Sequence, residues 1–531
     1  MCRRNAVGSA AVALLAAGAA QADAILDWNQ VTLDSIRLER PAPPVAARAL
    51  AMVHVAAFDA VNGVVGGHVP YHAAGPAPAE ASAEAAAAAA AHRVLVALFP
   101  GRAAAFDSHL ADSLADVPDG PGEAAGVSWG VEVAESILAL RAGDGANTIT
   151  PYETPSGGGW WVPTPPALAP AVLPNWPRVR PWAMTAGDQF RQAAPPCPNT
   201  PEYTLAFQEV RRLGRVDSAL RTPEQTQIAL FWADGPGTVT PPGHWFLIAR
   251  SLSQSRGLDL AENARLFALL GITEADAAIV SWDHKYVYSH WRPLTGIQHA
   301  DTDGNPDTDA DPAWTSLIAT PPFPAYSSGH STFSGSGARL LAHYFGGDSI
   351  PFDTVSDALP GVVRSFTRLS DAAAEAGQSR IYGGIHWRYD NAAGLTSGRQ
   401  LADHVFFTQL GEIAPPGLCH PGPTALCLNG GRFKVEATWA TAQGSGTANT
   451  LQVGDDSGAL WFFHPDNSEL LAKVVDACGA FGRHWFFVSG TTNVEVVISV
   501  TDTQTGAVRR YFNPQGRPFV PVQDVAAFAC P

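Results

Sequence analysis

The pattern of apolar and polar positions is mostly helical between about residues 40 and 410. The stretch PPVAARALAMVHVAAFDAVNGV begins after prolines and ends at Asn-Gly, and AEASAEAAAAAAAHRVLVALFPG is rich in the strongest helix former before a Pro-Gly stop. TPEQTQIALFWADG and LAENARLFALLGITEADAAIVSWDHKYVYSHWRP are predicted as further helices, the first with a Thr cap. Residues 151 to 182 are predicted as a long Gly/Pro loop, a feature that often serves as a functional lid.

The pattern changes at about residue 413. APPGLCHPGPTALCLNGG is predicted as a linker, and RFKVEATW after it alternates apolar and polar residues. LWFFHPD, HWFFVSG and VEVVISVTDTQTGAVRRYF are predicted strands, the last with a hairpin turn at Thr505-Gly506. The predicted fold is mainly α, with a helical-bundle core at residues 25–412, a linker at 413–431 and a small all-β domain at 432–531.

The amino terminus, MCRRNAVGSAAVALLAAGAAQADA, has the pattern of an export signal ending near residue 24. Two arginines precede an apolar run of small residues, which is followed by small-x-small cleavage sites. The mature protein is therefore predicted to be exported, either to a periplasm or to the medium. No later segment has the ~20 uninterrupted apolar residues that a membrane span requires.

The cysteines agree with an oxidising compartment. Cys2 leaves with the signal, and an odd number remains. Cys419 and Cys427 could close a small loop, Cys478 with Cys530 could tie down the carboxyl terminus, and Cys197 is left over. No cysteine spacing resembles a zinc site.

Composition limits the classes of function. The chain has 531 residues, of which 46% are hydrophobic and 15% charged, and this suits a globular protein of more than one domain. A net charge of -16, with no run of Lys or Arg, argues against nucleic acid as a partner. Any anion site must therefore be built from a few local cations.

Three short segments supply such cations. Lys285 and Arg292 are seven positions apart, and this spacing predicts one face of a helix that Pro293 ends. Ser328, Gly329 and His330 open a predicted helix, whose free N–H groups favour an anion.

The third segment is SRIYGGIHWRYD, which contains Arg380, His386 and Asp390. The last two are four positions apart, so on a helix the carboxylate can fix the tautomer of the imidazole. Taken alone, segments of these three kinds are usually a solvated helix face, a helix cap or a core histidine. Together they predict a cage for a tetrahedral oxyanion.

These residues resemble the signature of the vanadium-dependent haloperoxidases, which share their site with the type 2 phosphatidic acid phosphatase superfamily. The signature is K-x6-R-P, then P-S-G-H, then S-R-x5-H-x3-D, and it is found at residues 285–293, 327–330 and 379–390. Ser327 replaces the proline of the P-S-G-H segment, which shapes a turn and does not touch the anion. The resemblance covers residues 25 to 410 in layout, and the β tail resembles the appended domain of secreted bacterial members more loosely.

The resemblance implies vanadate as the cofactor. Lys285, Arg292 and Arg380 would neutralise its charge, while Ser328 and the Gly329 N–H donate hydrogen bonds to its oxygens. No calcium is expected from DTDGNPDTDADP, residues 301–312, because Pro306 and Pro312 replace the Gly and Glu of a calcium loop.

The same resemblance gives the histidines distinct roles. His386 would bind vanadium axially with Asp390 as its hydrogen-bond partner, and His330 would be the acid/base. The activity implied is oxidation of a halide by hydrogen peroxide to hypohalous acid, with Lewis-acid activation of the peroxide. Phe323 falls where the family's chloride oxidisers resemble this chain and its bromide oxidisers tend to carry a histidine. The organic acceptor and the oligomeric state are left open.

Two other functions fit the same cage. In a phosphatase, His386 would be the nucleophile that forms a phosphohistidine, and His330 would protonate the leaving alcohol. An anion-binding scaffold would not need His330 at the mouth. The peroxidase is favoured because the WRPLTGI context, the long amino-terminal helical region and the export signal resemble it more closely.

The remaining polar residues in apolar or aromatic surroundings are predicted to form core hydrogen bonds. They are His54, Asp59, Asn62 and His244. His284 and His290 lie beside the motif, but neither matches a site position of the family.

Overall fold

The computed structural model describes residues 23–73, 75–155, 157–414 and 417–530. Almost all of the predicted export signal therefore lies outside the described residues. The larger helices are α1 Ala24–Glu39, α2 Pro43–Val65, α3 Ala83–Leu98, α4 Ala103–Ala115, α5 Pro121–Arg141, α6 Pro201–Leu213, α7 Pro223–Phe231, α8 Thr240–Arg256, α9 Leu260–Tyr288, α10 Pro293–Gln298, α11 Gly329–Tyr344, α12 Leu369–Tyr382 and α13 Arg388–Thr408. Short 3₁₀ turns occupy Pro100–Arg102, Trp176–Arg178 and Ala300–Thr302.

The bundle is organised around α9, which is buried over most of its length. α9 packs against α2 on one side and against α11 and α13 on another, and α3 and α5 pack on α2. The alanine run of α3 is buried from Ala85 to Ala91. This run is therefore a core helix, as its composition predicts.

α2 also has the length and apolar composition of a membrane-spanning helix. In the fold, however, 89% of its most apolar window is buried inside the protein, as in the core helix of a bundle. α3 and α4 satisfy the same test only as a pair, and they are bent by 119° where they meet.

The contact between α11 and α13 positions the site because both helices begin there. Gly394 and Gly398 of α13 lie against the backbone of α11, where an added Cβ would come within 2.7 Å of the Ser328 carbonyl oxygen and 2.3 Å of the Thr332 carbonyl oxygen. Only glycine allows so close an approach. The Ser328 N–H then donates to the Asp390 carbonyl oxygen at 3.1 Å, joining the starts of the two helices.

A short antiparallel hairpin, β1 Phe352–Val355 and β2 Val363–Phe366, interrupts the helical part. The other strands form two antiparallel sheets that enclose a second apolar core. They are β3 Leu426–Leu428, β4 Phe433–Thr441, β5 Gly444–Thr447, β6 Asn449–Gln452, β7 Ser457–Trp461, β8 Leu470–Asp476, β9 Arg483–Gly490, β10 Glu495–Asp502, β11 Val508–Asn513 and β12 Val522–Ala529. A short helix, α14 Cys478–Phe481, connects β8 to β9.

The sheet orders are β11-β10-β4-β3, with β5 also paired to β4, and β12-β9-β8-β7-β6. The prediction of a mainly α protein with a small carboxyl-terminal β domain is confirmed. β3 lies within the segment predicted as linker and pairs with β4. The expected pairs Cys419–Cys427 and Cys478–Cys530 are disulfides, and Cys197 is an exposed free thiol.

The β domain packs on the carboxyl-terminal ends of α11 and α13. The Phe512 ring of β11 stacks on Phe407 with centroids 4.6 Å apart and meets the His343 ring edge-on at 5.8 Å. Asp403 accepts hydrogen bonds from Arg339 and His343, both at 2.6 Å. α11 and α13, which begin at the site, are therefore held near their carboxyl-terminal ends by the β domain and by each other.

One carboxyl group in the bundle core gives a prediction about stability. Glu274 of α9 is fully buried, its Oε1 lies 3.5 Å from the Ser336 hydroxyl, and its Oε2 has no partner in the described part of the chain. Burial raises the pKa of Glu274 well above its usual value. The folded state therefore favours the protonated acid. The contribution of protonated Glu274 to the free energy of unfolding is complete below the unfolded-state pKa, and it is lost as pH rises through the raised folded-state pKa.

We expect Glu274→Gln to stabilise the protein at pH 8 by about 1–3 kcal/mol, the range usual for a change to one buried polar group. The gain should shrink towards pH 4, because the neutral amide removes a cost that only the ionised acid bears. The measurement is the urea midpoint at several pH values. Glu132→Gln, on the exposed face of α5, is the matched control, and a gain that does not depend on pH would contradict the explanation.

Candidate active site

Lys285 lies in the last turn of α9 with its side chain fully buried. Its ammonium donates to the carbonyl oxygens of Pro324 at 3.1 Å, Ala325 at 3.1 Å and Ser327 at 2.5 Å. Burial lowers the pKa of Lys285 well below its usual value, and the neighbouring Arg292 lowers it further. The loop before α11 thus holds this cation in place through its backbone.

Arg292 lies at the site, but not on the helix that was predicted to carry it. α9 ends at Tyr288 because Ser289 adopts the left-handed conformation at φ 44°, so the prediction of one helix face for Lys285 and Arg292 is wrong. Arg292 instead lies in extended chain before α10. Its Nε donates to the Phe323 carbonyl and its Nη1 to the Ile385 carbonyl, both at 2.8 Å. Burial lowers the pKa of Arg292 to about 9.

Arg380, in the last turn of α12, is the third buried cation. Its Nε donates to the Ser379 hydroxyl at 2.9 Å and its Nη2 to the Ala229 carbonyl at 3.2 Å. Its Nη1 lies 3.2 Å from Nε2 of His330. Burial lowers the pKa of Arg380 to about 10, and Asp234 opposes this shift.

His386 lies just before α13 and not on it, so the prediction that both members of the His386–Asp390 pair are helical is wrong for the histidine. The pair forms because Asp390, at the third position of α13, turns back to cap the helix. Its Oδ2 accepts from the Trp387 N–H at 3.0 Å and pairs with His386 Nδ1 at 2.8 Å. Nε2 of His386 then faces Arg292 Nη1 at 3.0 Å.

The two histidines are both kept neutral by their surroundings. Burial lowers the pKa of His386 well below its usual value, and Arg292 and Lys285 add to this. Burial, followed by Arg380, lowers the pKa of His330 in the same direction. Burial raises the pKa of Asp390, although the Trp387 N–H and the two nearby cations oppose the change.

The start of α11 supplies the polar groups between the cations. Ser328 caps the helix, its hydroxyl accepting from the Ser331 N–H at 3.3 Å. Gly329 is the first helical residue, and its nearest neighbour on the open side is the Ser281 hydroxyl, 3.7 Å from the place of an added Cβ. His330 follows half-buried, beside the Trp232 and Ala233 carbonyls.

Phe323 closes one side of the cage. Its ring centroid lies 5.1 Å from Lys285 Nζ, 4.9 Å from Arg292 Cζ and 5.0 Å from the Trp282 ring. The long loop predicted as a lid runs beside it, and the Val172 carbonyl accepts from the Trp282 indole at 3.2 Å and the Tyr286 hydroxyl at 2.6 Å.

Sequence reasoning missed two site residues. Asp234 is buried near Arg380, which its charge stabilises, and pairs with His244 Nδ1 at 3.2 Å. No local pattern points to it, because Asp234 and Arg380 are far apart in the chain. Ser281 lies one helical turn before Lys285, and this i,i+4 spacing was the signal available.

The groups present fit a tetrahedral oxyanion. Each of the three cations donates to carbonyls or to a hydroxyl, and none forms a salt bridge with a described carboxylate. Arg292 Nη2 and Ser281 Oγ are buried and have no hydrogen-bond partner within the described ranges. Buried cations without a direct salt-bridge partner, and buried donors without an acceptor, are costly unless a ligand binds to them.

Residues 265–410 match the family model of the VCPO second helical-bundle domain. The vanadium chloroperoxidase of Curvularia inaequalis is 28% identical over 487 residues, covering 70% of this chain and 79% of that protein. A solved bacterial vanadium-dependent iodoperoxidase is 28% identical with a TM-score of 0.65, covering 72% of this chain and 95% of that one. The chain is therefore similar to vanadium-dependent haloperoxidases over about 70% of its length.

A holo-type bacterial vanadium-dependent chloroperoxidase shares this haloperoxidase fold with a TM-score of 0.55. It is 18% identical and covers 70% of this chain and 96% of that one, so the likeness shows the fold alone.

His54, Asp59 and Asn62 are buried and make hydrogen bonds, as predicted, whereas His244 pairs with the site residue Asp234. His54 pairs with Asn29 at 3.2 Å, Asp59 accepts from three backbone N–H groups of residues 71–73, and Asn62 bonds the backbone of His68. His284 bonds the backbone of residues 192 and 280, and His290 pairs with Tyr389 at 2.7 Å. In the 301–312 loop, Asp303 and Asn305 accept hydrogen bonds from residues of the same loop.

Proposed function

We propose that this protein is a vanadate-dependent haloperoxidase that oxidises halide with hydrogen peroxide to hypohalous acid. The observation that carries the proposal is a set of three buried cations that form no salt bridge to any described carboxylate, together with a histidine held by a carboxylate. The cations are Lys285, Arg292 and Arg380. The similarity to vanadium-dependent haloperoxidases supports the same reaction. Bound vanadate would supply a Lewis acid that activates peroxide while the vanadium keeps its oxidation state.

The cations bind and orient the anion. Lys285 and Arg292 are anchored by backbone carbonyls, so their charges are positioned before any ligand arrives. Arg292 leaves Nη2 for the ligand, and Ser281 and the start of α11 offer further donors. Because the site is buried, each of these interactions is stronger than it would be in water.

The histidines differ in what holds them. With Asp390 as carboxylate, Nδ1–H of His386 donates to it, and Nε2 is left unprotonated on the side of the cations. Nε2 is thus the atom that would bind the vanadium. His330 is neutral and more exposed than His386, so its ring can accept a proton from peroxide at the mouth and return one to the product.

The decisive experiment uses protein stripped with EDTA and phosphate and then reconstituted with orthovanadate. We expect peroxide-dependent oxidation of bromide only after vanadate is added. The same stripped protein should be assayed with p-nitrophenyl phosphate, because the cage alone suits phosphate as well. Phosphatase turnover without peroxidase activity in the reconstituted protein would overturn the proposal and favour the phosphohistidine mechanism.

Phosphate should compete with vanadate, since both are tetrahedral oxyanions that need the same three cations. We expect the vanadate concentration for half-maximal activity to rise in proportion to phosphate, while the activity at saturating vanadate stays unchanged. Sodium nitrate at matched ionic strength is the control for screening. Non-competitive inhibition would show that Lys285, Arg292 and Arg380 do not form one anion site.

We propose that Phe323 favours chloride competence, because its apolar ring lies against the two cations where a bromide oxidiser tends to carry a polar histidine. Phe323→His should lower kcat/KM for chloride by about 10-fold or more relative to bromide, a change of at least ~1.4 kcal/mol in discrimination. The measurement is kcat/KM for chloride, bromide and iodide in both proteins. An unchanged chloride-to-bromide ratio would remove this residue from halide selection.

We also propose that the protein is exported. The two disulfides support this, since such bonds persist in oxidising compartments.

A further inference from the structure

Three metal-ligating side chains meet at one end of the β domain, away from the vanadate cage. Cys478 begins α14, His484 lies on β9, and Cys530 follows β12. One ligand atom from each lies within 4.8 Å of the others. We propose that, when the Cys478–Cys530 disulfide is reduced, these three residues bind a divalent cation of the zinc class.

The distances suit tetrahedral coordination. Nδ1 of His484 lies 3.4 Å from the Cys478 sulfur and 3.8 Å from the Cys530 sulfur. Bonds of about 2.0–2.1 Å to nitrogen and about 2.3 Å to sulfur at the tetrahedral angle place the nitrogen roughly 3.6 Å from each sulfur. Only the two sulfurs must separate, to roughly 3.8 Å by the same geometry, and their Cα atoms are 5.7 Å apart.

The histidine has the surroundings of a metal ligand. Its side chain is only 4% exposed, and the Phe433 ring packs on it with centroids 4.9 Å apart. Its Nε2 lies 3.8 Å from Oδ1 of Asp476, the residue that pairs with His484 across β8 and β9. The negative charge of this carboxylate favours a proton on Nε2, which lies 3.6 Å from the Cys478 sulfur, and so favours Nδ1, the nearer nitrogen at 3.4 Å, as the ligand atom.

Sequence spacing cannot reveal this site. Cys478 and His484 flank the β8–β9 connection, while Cys530 comes from the far end of β12. Pairing of β12 with β9 places Phe528 opposite His484 and so brings Cys530 to the same edge. The expectation that the chain has no zinc site rests on cysteine spacing alone. Spacing does not show how β12 pairs with β9.

The chemistry balances with a dithiol as reductant. The S–S bond takes two electrons and two protons from the dithiol, which itself becomes a disulfide, and two cysteine thiols result. The cation then binds both sulfurs as thiolates, releasing two protons, together with neutral His484. Disulfide and metal are thus alternative links between the end of β12 and the β8–β9 connection. A fourth ligand position remains for water.

The test uses the full chain carrying Cys2→Ser, Cys197→Ser, Cys419→Ser and Cys427→Ser, so that Cys478 and Cys530 are the remaining cysteines. After reduction with dithiothreitol and anaerobic desalting, it is titrated with Co²⁺ alone. We expect one equivalent to give thiolate-to-cobalt charge transfer and the visible bands of a tetrahedral site, and Zn²⁺ to displace the cobalt. The oxidised protein should show neither signal.

Two variants separate the ligands. His484→Ala should weaken cobalt binding by about 100-fold or more and shift the visible bands, and Asp476→Asn should weaken it about 10-fold, within the usual range for an outer partner. Wild-type protein, reduced in the same way, repeats the titration in case the serine variants perturb folding, which circular dichroism reports. Absence of stoichiometric binding in both backgrounds, or equal affinity in His484→Ala, would overturn the proposal.

Discussion

Replacement of His386 by alanine is expected to abolish vanadate-dependent halide oxidation, with a loss of at least about 10³-fold, or ~4 kcal/mol of transition-state stabilisation. The physical reason is that Nε2 of His386 is the imidazole nitrogen that faces the buried cations, oriented by the 2.8 Å contact of Nδ1 with Asp390. Alanine leaves the three cations in place but removes this donor atom. The measurements are bromide oxidation and vanadate binding by ⁵¹V NMR.

Two variants make this result interpretable. Asp390→Asn keeps the shape of the pair but removes the carboxylate charge, and should cost about 10-fold to 100-fold in vanadate affinity. His72→Ala changes an exposed histidine and should be silent. If His386→Ala retained both vanadate binding and full turnover, His386 would not be the residue that binds vanadium.

His330→Ala is expected to separate binding from turnover. His330 is half-buried and contacts Arg380, whereas His386 is enclosed by Arg292 and Asp390. The variant should therefore still bind vanadate, since the cations and His386 are intact, yet lose on the order of 10²-fold to 10⁴-fold in rate, the usual worth of one positioned proton-transfer group. Titration of vanadate followed by steady-state kinetics measures the two quantities independently.

A ligand or structural role for His330 predicts a different result for the same variant. If vanadate affinity fell in proportion to activity, His330 would be mainly a ligand or a structural residue, and the case for a catalyst over an anion-binding scaffold would weaken. His330→Gln retains a polar side chain that can hydrogen-bond Arg380 but cannot carry the proton. It should bind vanadate as the wild type does and remain slow.

The candidate site could be located from the sequence because its three segments are each short and locally constrained. Ser328 does cap a helix, and the His386–Asp390 contact does form, since both depend on residues four positions apart or fewer. The local geometry was less predictable. The left-handed Ser289 ends α9 before the stop expected at Pro293. Ser289 lies in a tertiary contact there, since its carbonyl oxygen accepts from the Trp161 N–H at 2.7 Å.

The sequence by itself determined the element types, the change from helical to strand pattern near residue 413 and the set of residues able to hold an oxyanion. These follow from periodicity, capping and side-chain chemistry, which act over a few residues. Only the tertiary structure decided that Asp234 lies near Arg380, that Ser281 lies beside Gly329 and that His484 meets two cysteines. Such contacts join residues far apart in the chain, and they depend on helix packing and strand register, which short-range patterns do not contain.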